Sequence, residues 1–194
     1  MSRLQLRLQL LALEPTPAEE EFRSRMVALL EAVPDCFQRH CFPAHFTASA
    51  LVVSADGSRA LLNHHRNLNR WMQFGGHCDG DDNLVRVAAR EALEESGIEG
   101  LIVASAKPFD LDIHQIPENA RRGEPAHFHF DVRYVLIAPQ DAQFTVSAES
   151  HALEWFTPAE MQEMDLDAGM RRLVAKWQAL LKRRSHTDLP IPPQ

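Results

Sequence analysis

The chain has 194 residues and a mass of 22.0 kDa, enough for one domain with a real core and too little for two ordinary domains and a linker. Hydrophobic residues make up 45% and charged residues 24%, which is globular and not disordered. The formal net charge of -7 and a pI of about 5.8 argue against a broad basic face for nucleic acid. A phosphorylated substrate must then be met by a metal ion or by local arginines.

No apolar run reaches the roughly 18–20 residues that span a bilayer, so no membrane association is expected. Residues 1–13 alternate leucine with glutamine and arginine and offer no small-residue cleavage site, unlike a signal peptide. Three cysteines, Cys36, Cys41 and Cys78, form no disulfide framework and suggest a reducing, cytoplasmic compartment. Cys36 and Cys41 read as small buried hydrophobes.

In chain order, leucines at 4, 6, 8, 10, 11 and 13 fit a short helix over 3–12, with an alternating strand as the other option. They could pack on their own domain or on a second subunit, so a homodimer stays open. Thr16-Pro17 followed by Glu19, Glu20 and Glu21 starts a helix, with a capping hydroxyl, proline in the first turn and acids at the positive end of the dipole. Phe22, Met26, Val27, Leu29, Leu30 and Val33 give it one apolar face. Residues 46–54 and 59–64 predict two strands joined by the hairpin turn Ala55-Asp56-Gly57-Ser58. Residues 71–76 predict a short strand entering a glycine-rich loop. Residues 83–96 predict the clearest helix, stopped by Gly97. Strands follow near 101–106, 108–116, 127–138 and 153–156, then helices over 158–164 and 167–183. The division expected is an N-terminal helical extension (1–43), one α/β domain with a mixed sheet (44–184) and an extended tail (185–194).

The informative stretch is Gly76 to Ile98. Glu91, Glu94 and Glu95 stand at i, i+3 and i+4, so three carboxylates share one helix face. Like charges at that spacing repel unless a cation lies among them. Oxygen-only donors favour Mg²⁺ first and Mn²⁺ second. Arg90 can hold one carboxylate in place, and Gly75-Gly76 allow close backbone approach. A solvated acidic helix face is the alternative.

The spacing goes further. Gly76, five residues, Asp82, seven residues and then Arg90-Glu91-Ala92-Leu93-Glu94-Glu95-Ser96-Gly97-Ile98 resembles the signature of the Nudix hydrolases, with Asp82 where that family carries Glu. The resemblance spans about residues 44–165. It implies a Nudix fold, an α-β-α sandwich, and a Mg²⁺-dependent pyrophosphatase-type hydrolase of nucleoside diphosphate derivatives. It also implies Glu91, Glu94, Glu95 and the Gly76 carbonyl as metal ligands, Arg90 as their orienter and Asp82 in support. The general base would be Glu91 or a later-loop carboxylate, for which Glu149 is the candidate. A small-molecule diphosphate is the expected partner.

The chain carries ten histidines. His127 and His129 share one face of a predicted strand and can share one metal ion. With His45 and His77 their layout looks similar to that of isopentenyl-diphosphate isomerases, a Nudix-fold relative, with histidines where those proteins carry acids. This suggests a second metal site, for Zn²⁺ or Mn²⁺, from His45, His77, His127 and His129. Isomerase activity is not expected, because Gly75 stands at that family's cysteine position. His64 and His65, with Arg66 and Arg70, and Arg121 and Arg122 at a hairpin tip, are candidates for holding or steering phosphate. Trp71, Phe128 and Tyr134 could stack on a base or belong to the core. Two competing readings are a Nudix-fold module that binds a nucleotide or sugar phosphate without turnover, and an enzyme acting on non-nucleotide diphosphates through the histidines.

Overall fold

A computed structural model describes residues 2–121 and 123–186. The elements are α1 (Arg3–Ala12), α2 (Pro17–Ala32), β1 (Ala44–Val53), β2 (Ala60–His65), β3 (Arg70–Met72), β4 (Phe74–His77), α3 (Leu84–Ser96), β5 (Ile102–Val103), β6 (Asp110–Ile116), β7 (His127–Ile137), β8 (Ser150–Phe156), α4 (Pro158–Glu163) and α5 (Ala168–His186). The expected α/β class is what forms. Arg122, and residues 187–194 of the expected tail, lie outside the described residues.

Local chemistry sets the helix ends. Ser2 and Gln5 close a capping box on α1, and Thr16 and Glu19 do the same on α2, satisfying backbone N–H groups that have no partner inside the helix. Asn83 caps α3, and Gly97 ends it at φ 67°, a conformation glycine adopts without steric cost.

One mixed sheet runs in the order β3-β2-β1-β7-β5, with β4 on β1, β6 on β7 and β8 on β2. The β1–β7 pair is parallel and the other pairs are antiparallel. Every residue of β1 is buried, so the strand is covered on both faces. Its even-numbered residues Phe46, Ala48 and Ala50 pack with Leu84, Val87 and Ala88 of α3. Leu51 and Val53 on the other face pack with Leu173 and Trp177 of α5. Helices on both faces of the sheet give the expected sandwich.

Leu6 and Leu10 of α1 are 0% exposed and join the α3-side core; burying each contributes about 1.5–3 kcal/mol. The leucine pattern therefore packs on its own domain, with Leu4, Leu8 and Leu11 left outside. The Arg3 guanidinium donates to the carbonyls of Leu30, Val33 and Pro34, and the Arg3 amide donates to Asp82 Oδ2 at 3.2 Å.

A charged layer lies under α5. Buried Arg133 of β7 donates to Asp131 (2.8 Å), Asp112 (2.9 Å) and Asp110 (3.3 Å), and Arg172 of α5 reaches Asp110 and Asp112 at 2.9 and 2.8 Å. Lys176 pairs with Glu19 of α2 at 2.5 Å. A Cβ on Gly169 would stand 3.0 Å from both Arg133 Nη2 and Asp112 Oδ1, so the first turn of α5 rests directly on this layer. Among the described residues no helix is long and apolar enough to cross a membrane.

Candidate active site

The strand expected over 71–76 is split into β3 and β4, and β4 carries both glycines. Gly75 and Gly76 lie within β4, where Gly75 pairs with Ser49 and Gly76 with Ala48. Glycine usually weakens a strand, yet it is also what a strand needs where another group comes close. A Cβ on Gly75 would lie 2.8 Å from Ser49 Cα and 2.9 Å from the Ala48 carbonyl oxygen. A Cβ on Gly76 would lie 2.5 Å from Glu91 Oε2. The Glu91 carboxylate therefore occupies the space a side chain at 76 would take.

The amphipathic pattern of α3 turns Val87, Ala88 and Ala92 into the core and brings Glu91 and Glu95 against the sheet. Arg90 Nη1 pairs with Glu91 at 2.8 Å and with Glu94 at 3.4 Å, while its Nη2 donates to the His77 carbonyl at 3.0 Å. The expected orienting role of Arg90 thus has a geometry: one guanidinium ties helix to strand. Glu94 is the outermost of the three acids, with its side chain 58% exposed.

Glu95 is buried and accepts from Asn63 Nδ2 of β2 at 3.0 Å. Burial pushes its carboxyl up to about 7, against the Asn63 hydrogen bond and with help from the charges of Glu91 and Glu149. Burial also raises Glu91, opposed by Arg90 and reinforced by Glu94 and Glu149. Glu149 stands on the turn before β8, exposed, and its carbonyl accepts the Arg66 amide at 2.8 Å. Its negative charge adds to the upward shifts of both Glu91 and Glu95. These groups form an oxygen-only donor set in which the neighbouring negative charges add to the upward shifts of Glu91 and Glu95. That set fits a hard divalent cation.

Asp82 accepts a hydrogen bond from the Arg3 amide of α1. Arg66 Nη2 donates to the Ser150 carbonyl and Arg70 pairs with Asp167 at 3.5 Å, while Arg121 is exposed at the hairpin tip. Tyr134 is 0% exposed and belongs to the core on the α3 face, against which half-buried Phe128 packs; half-buried Trp71 packs against the cluster on the α5 face. Asn63 was not singled out from the sequence; its role depends on β2 lying beside α3, which no local pattern reveals.

The four histidines do meet. Ring centroids of His45 lie 5.3, 5.0 and 4.9 Å from those of His77, His127 and His129. His114 of β6 is a fifth member, 5.4 Å from His129. It was missed because only the β6–β7 register, which sets His114 opposite His129, brings it there. Burial lowers His45 to about 4, and burial with the neighbouring imidazoles lowers His129 to about 2, so both are neutral at pH 7.

Comparison with known proteins agrees with this picture. A family model described as the NUDIX domain matches residues 43–177. The chain is 30% identical over 127 residues to phosphatase NudJ of Escherichia coli strain K12, covering 65% of this chain and 66% of that protein's length. Among solved structures, a C. elegans Ap4A hydrolase superposes with a TM-score of 0.53 at 20% identity, over 71% of this chain and 98% of that one. A Nudix hydrolase from M. smegmatis gives 0.52 at 19% identity, over 77% and 90%. At these identities the two structures speak for the fold alone.

Proposed function

The chain belongs to the Nudix family, and from that premise we propose that it is a Mg²⁺-dependent hydrolase cleaving the diphosphate linkage of a nucleoside diphosphate derivative. The observation that carries this reading is the acid pair on α3, buried Glu95 and half-buried Glu91, set against the two glycines of β4. Burying carboxylates close together is costly unless a cation is present. Glu91, Glu94, Glu95 and the Gly76 carbonyl would hold it. Bound there, Mg²⁺ supplies charge neutralisation on the diphosphate and lowers the pKa of an attacking water.

The rest is done by the chain. Arg90 fixes Glu91 relative to β4 through the His77 carbonyl. Asn63 fixes the Glu95 carboxylate. Glu149, exposed and acting electrostatically on Glu91 and Glu95, would take a proton from water as it attacks phosphorus, with Glu91 as the other candidate base. The three cysteines are free, which suits the reducing, cytoplasmic setting we assign to it.

The test is phosphate release from a panel of nucleoside diphosphate derivatives with and without Mg²⁺. Activity should need the ion, and Glu94→Gln, the loss of a proposed ligand, should lower kcat/KM by at least about 10²-fold, beyond the cost of about 10–100-fold for residues that only support a ligand. A panel-wide absence of turnover, with nucleotide still bound, would instead make the protein a binding module.

Gly76→Ala tests the strand–helix contact. The added methyl must displace the Glu91 carboxylate, the free end of a side chain, so folding should survive. A misplacement of about 1 Å is worth about 10²-fold in rate, read as kcat/KM beside an unchanged circular-dichroism spectrum. Wild-type turnover in this variant would remove Glu91 from the proposed site.

A further inference from the structure

Five histidines gather at one end of the sheet, and the glutamate cluster uses none of their side chains. β1 and β7 run parallel and pair His45 with His129; β4 runs antiparallel to β1 and brings His77 opposite Thr47. One ring nitrogen from each of His45, His77 and His129 lies within 4.8 Å of the other two. His127 Nε2 is 3.3 Å from His129 Nε2. Four nitrogens about 2.0–2.1 Å from a tetrahedral zinc ion stand about 3.3 Å apart.

The hydrogen bonds around the rings set their tautomers. His45 Nδ1 faces the Cys41 carbonyl at 3.1 Å, and His127 Nδ1 faces the Pro125 carbonyl at 2.7 Å. A carbonyl only accepts, so each Nδ1 carries the proton and each Nε2 carries a lone pair. His45 Nε2 is buried and has no hydrogen-bond partner. His114 repeats the pattern at the mouth of the group, with Nδ1 2.9 Å from Asp112 Oδ2. A ring held by its Nδ1–H on a carbonyl or carboxylate, with its lone pair free, is how proteins orient a histidine toward a metal ion.

We infer that His45, His77 and His129, with His127 as fourth donor, form a binding site for a zinc-class divalent cation, separate from the glutamate cluster. Imidazole nitrogens suit zinc and its neighbours, whereas magnesium prefers oxygen. Successive residues of a strand point to opposite faces. Gly76 therefore faces Glu91, and His77, the next residue, faces the histidines. The two sites lie back to back across β4, joined by Arg90, which holds both the His77 carbonyl and Glu91. A cation on the histidines would clamp β4 from behind. The site does not depend on the hydrolase reading.

The experiment uses full-length protein without a histidine tag, stripped with a chelator and titrated with Co²⁺ alone. About one equivalent should bind with the intense visible absorption of four-coordinate cobalt, and Zn²⁺ should displace it. The spectrum should persist in Glu91→Gln and Glu95→Gln and vanish in His129→Ala and His77→Ala. Wild-type protein from zinc-supplemented growth should also retain about one zinc per chain and melt higher with Zn²⁺ than without, a readout that needs no variant to fold. Absence of both the cobalt spectrum and retained zinc in the wild type overturns the inference. So does a spectrum lost in Glu91→Gln but kept in His129→Ala, which would place the ion among the glutamates.

Discussion

Glu95→Gln is expected to abolish most turnover and, in the metal-free protein, to raise stability at alkaline pH. Substitutions that merely support a metal ligand cost about 10–100-fold, so loss of a ligand should cost at least about 10²-fold in kcat/KM. The stability effect follows from linkage. In the folded chain burial lifts the Glu95 carboxyl from 4.5 to about 7. Between those values the folded state holds a proton that the unfolded state has released, so stability falls as pH rises through the window and levels off above it. The full penalty is on the order of 3 kcal/mol. Glutamine keeps an oxygen for Asn63 and carries no charge, so metal-free Glu95→Gln should outlast wild type in urea at pH 8 and match it near pH 4.5. If the variant is no more stable at pH 8, Glu95 is not a buried ionised acid, and the argument for a cation at this place fails.

Arg133→Met should be the most damaging single change to the fold away from the site. Arg133 is 3% exposed, and the three aspartates it faces, Asp110, Asp112 and Asp131, are 0%, 7% and 3% exposed. Methionine fills much of the volume but leaves those acids short of a cation. Breaking a buried ion network by removing one partner costs about 3–5 kcal/mol, a large share of a total stability of about 5–15 kcal/mol. Urea unfolding at neutral pH measures this, with a loss below about 1 kcal/mol sinking it. Because the charges lie out of solvent, added salt should change the difference little.

These two residues were not equally legible in the sequence. Glu95 announced itself, because α3 carries its own cap at Asn83, its own stop at Gly97 and a 3.6-residue apolar stripe that fixes which face the acids share. All of that is encoded within about one helix length. Arg133 gave no sign: a lone arginine in an apolar strand has no local meaning until β6 supplies Asp110 and Asp112 beside it. The same holds for Asn63 and His114, whose neighbours are set by strand register. Asp82 has a contact that the signature spacing does not announce: its carboxylate accepts from an amide 79 residues away in the chain. The strand holding the β4 glycines was legible, but not the crowding by Ser49 and Glu91 that demands glycine there, because it comes from β1 and α3.

The contact between Arg3 and Asp82 has a reach beyond its own strength. Through one residue, α1 is pinned by its guanidinium to the carbonyl end of α2 and by its amide to the segment that leads into α3. The leading helix is thus a brace on the scaffold that carries Glu91 and Glu95, and its fraying would loosen the approach to α3 without touching any acid. Work on a shortened version beginning at β1 would therefore characterise a differently supported domain, even with every signature residue in place.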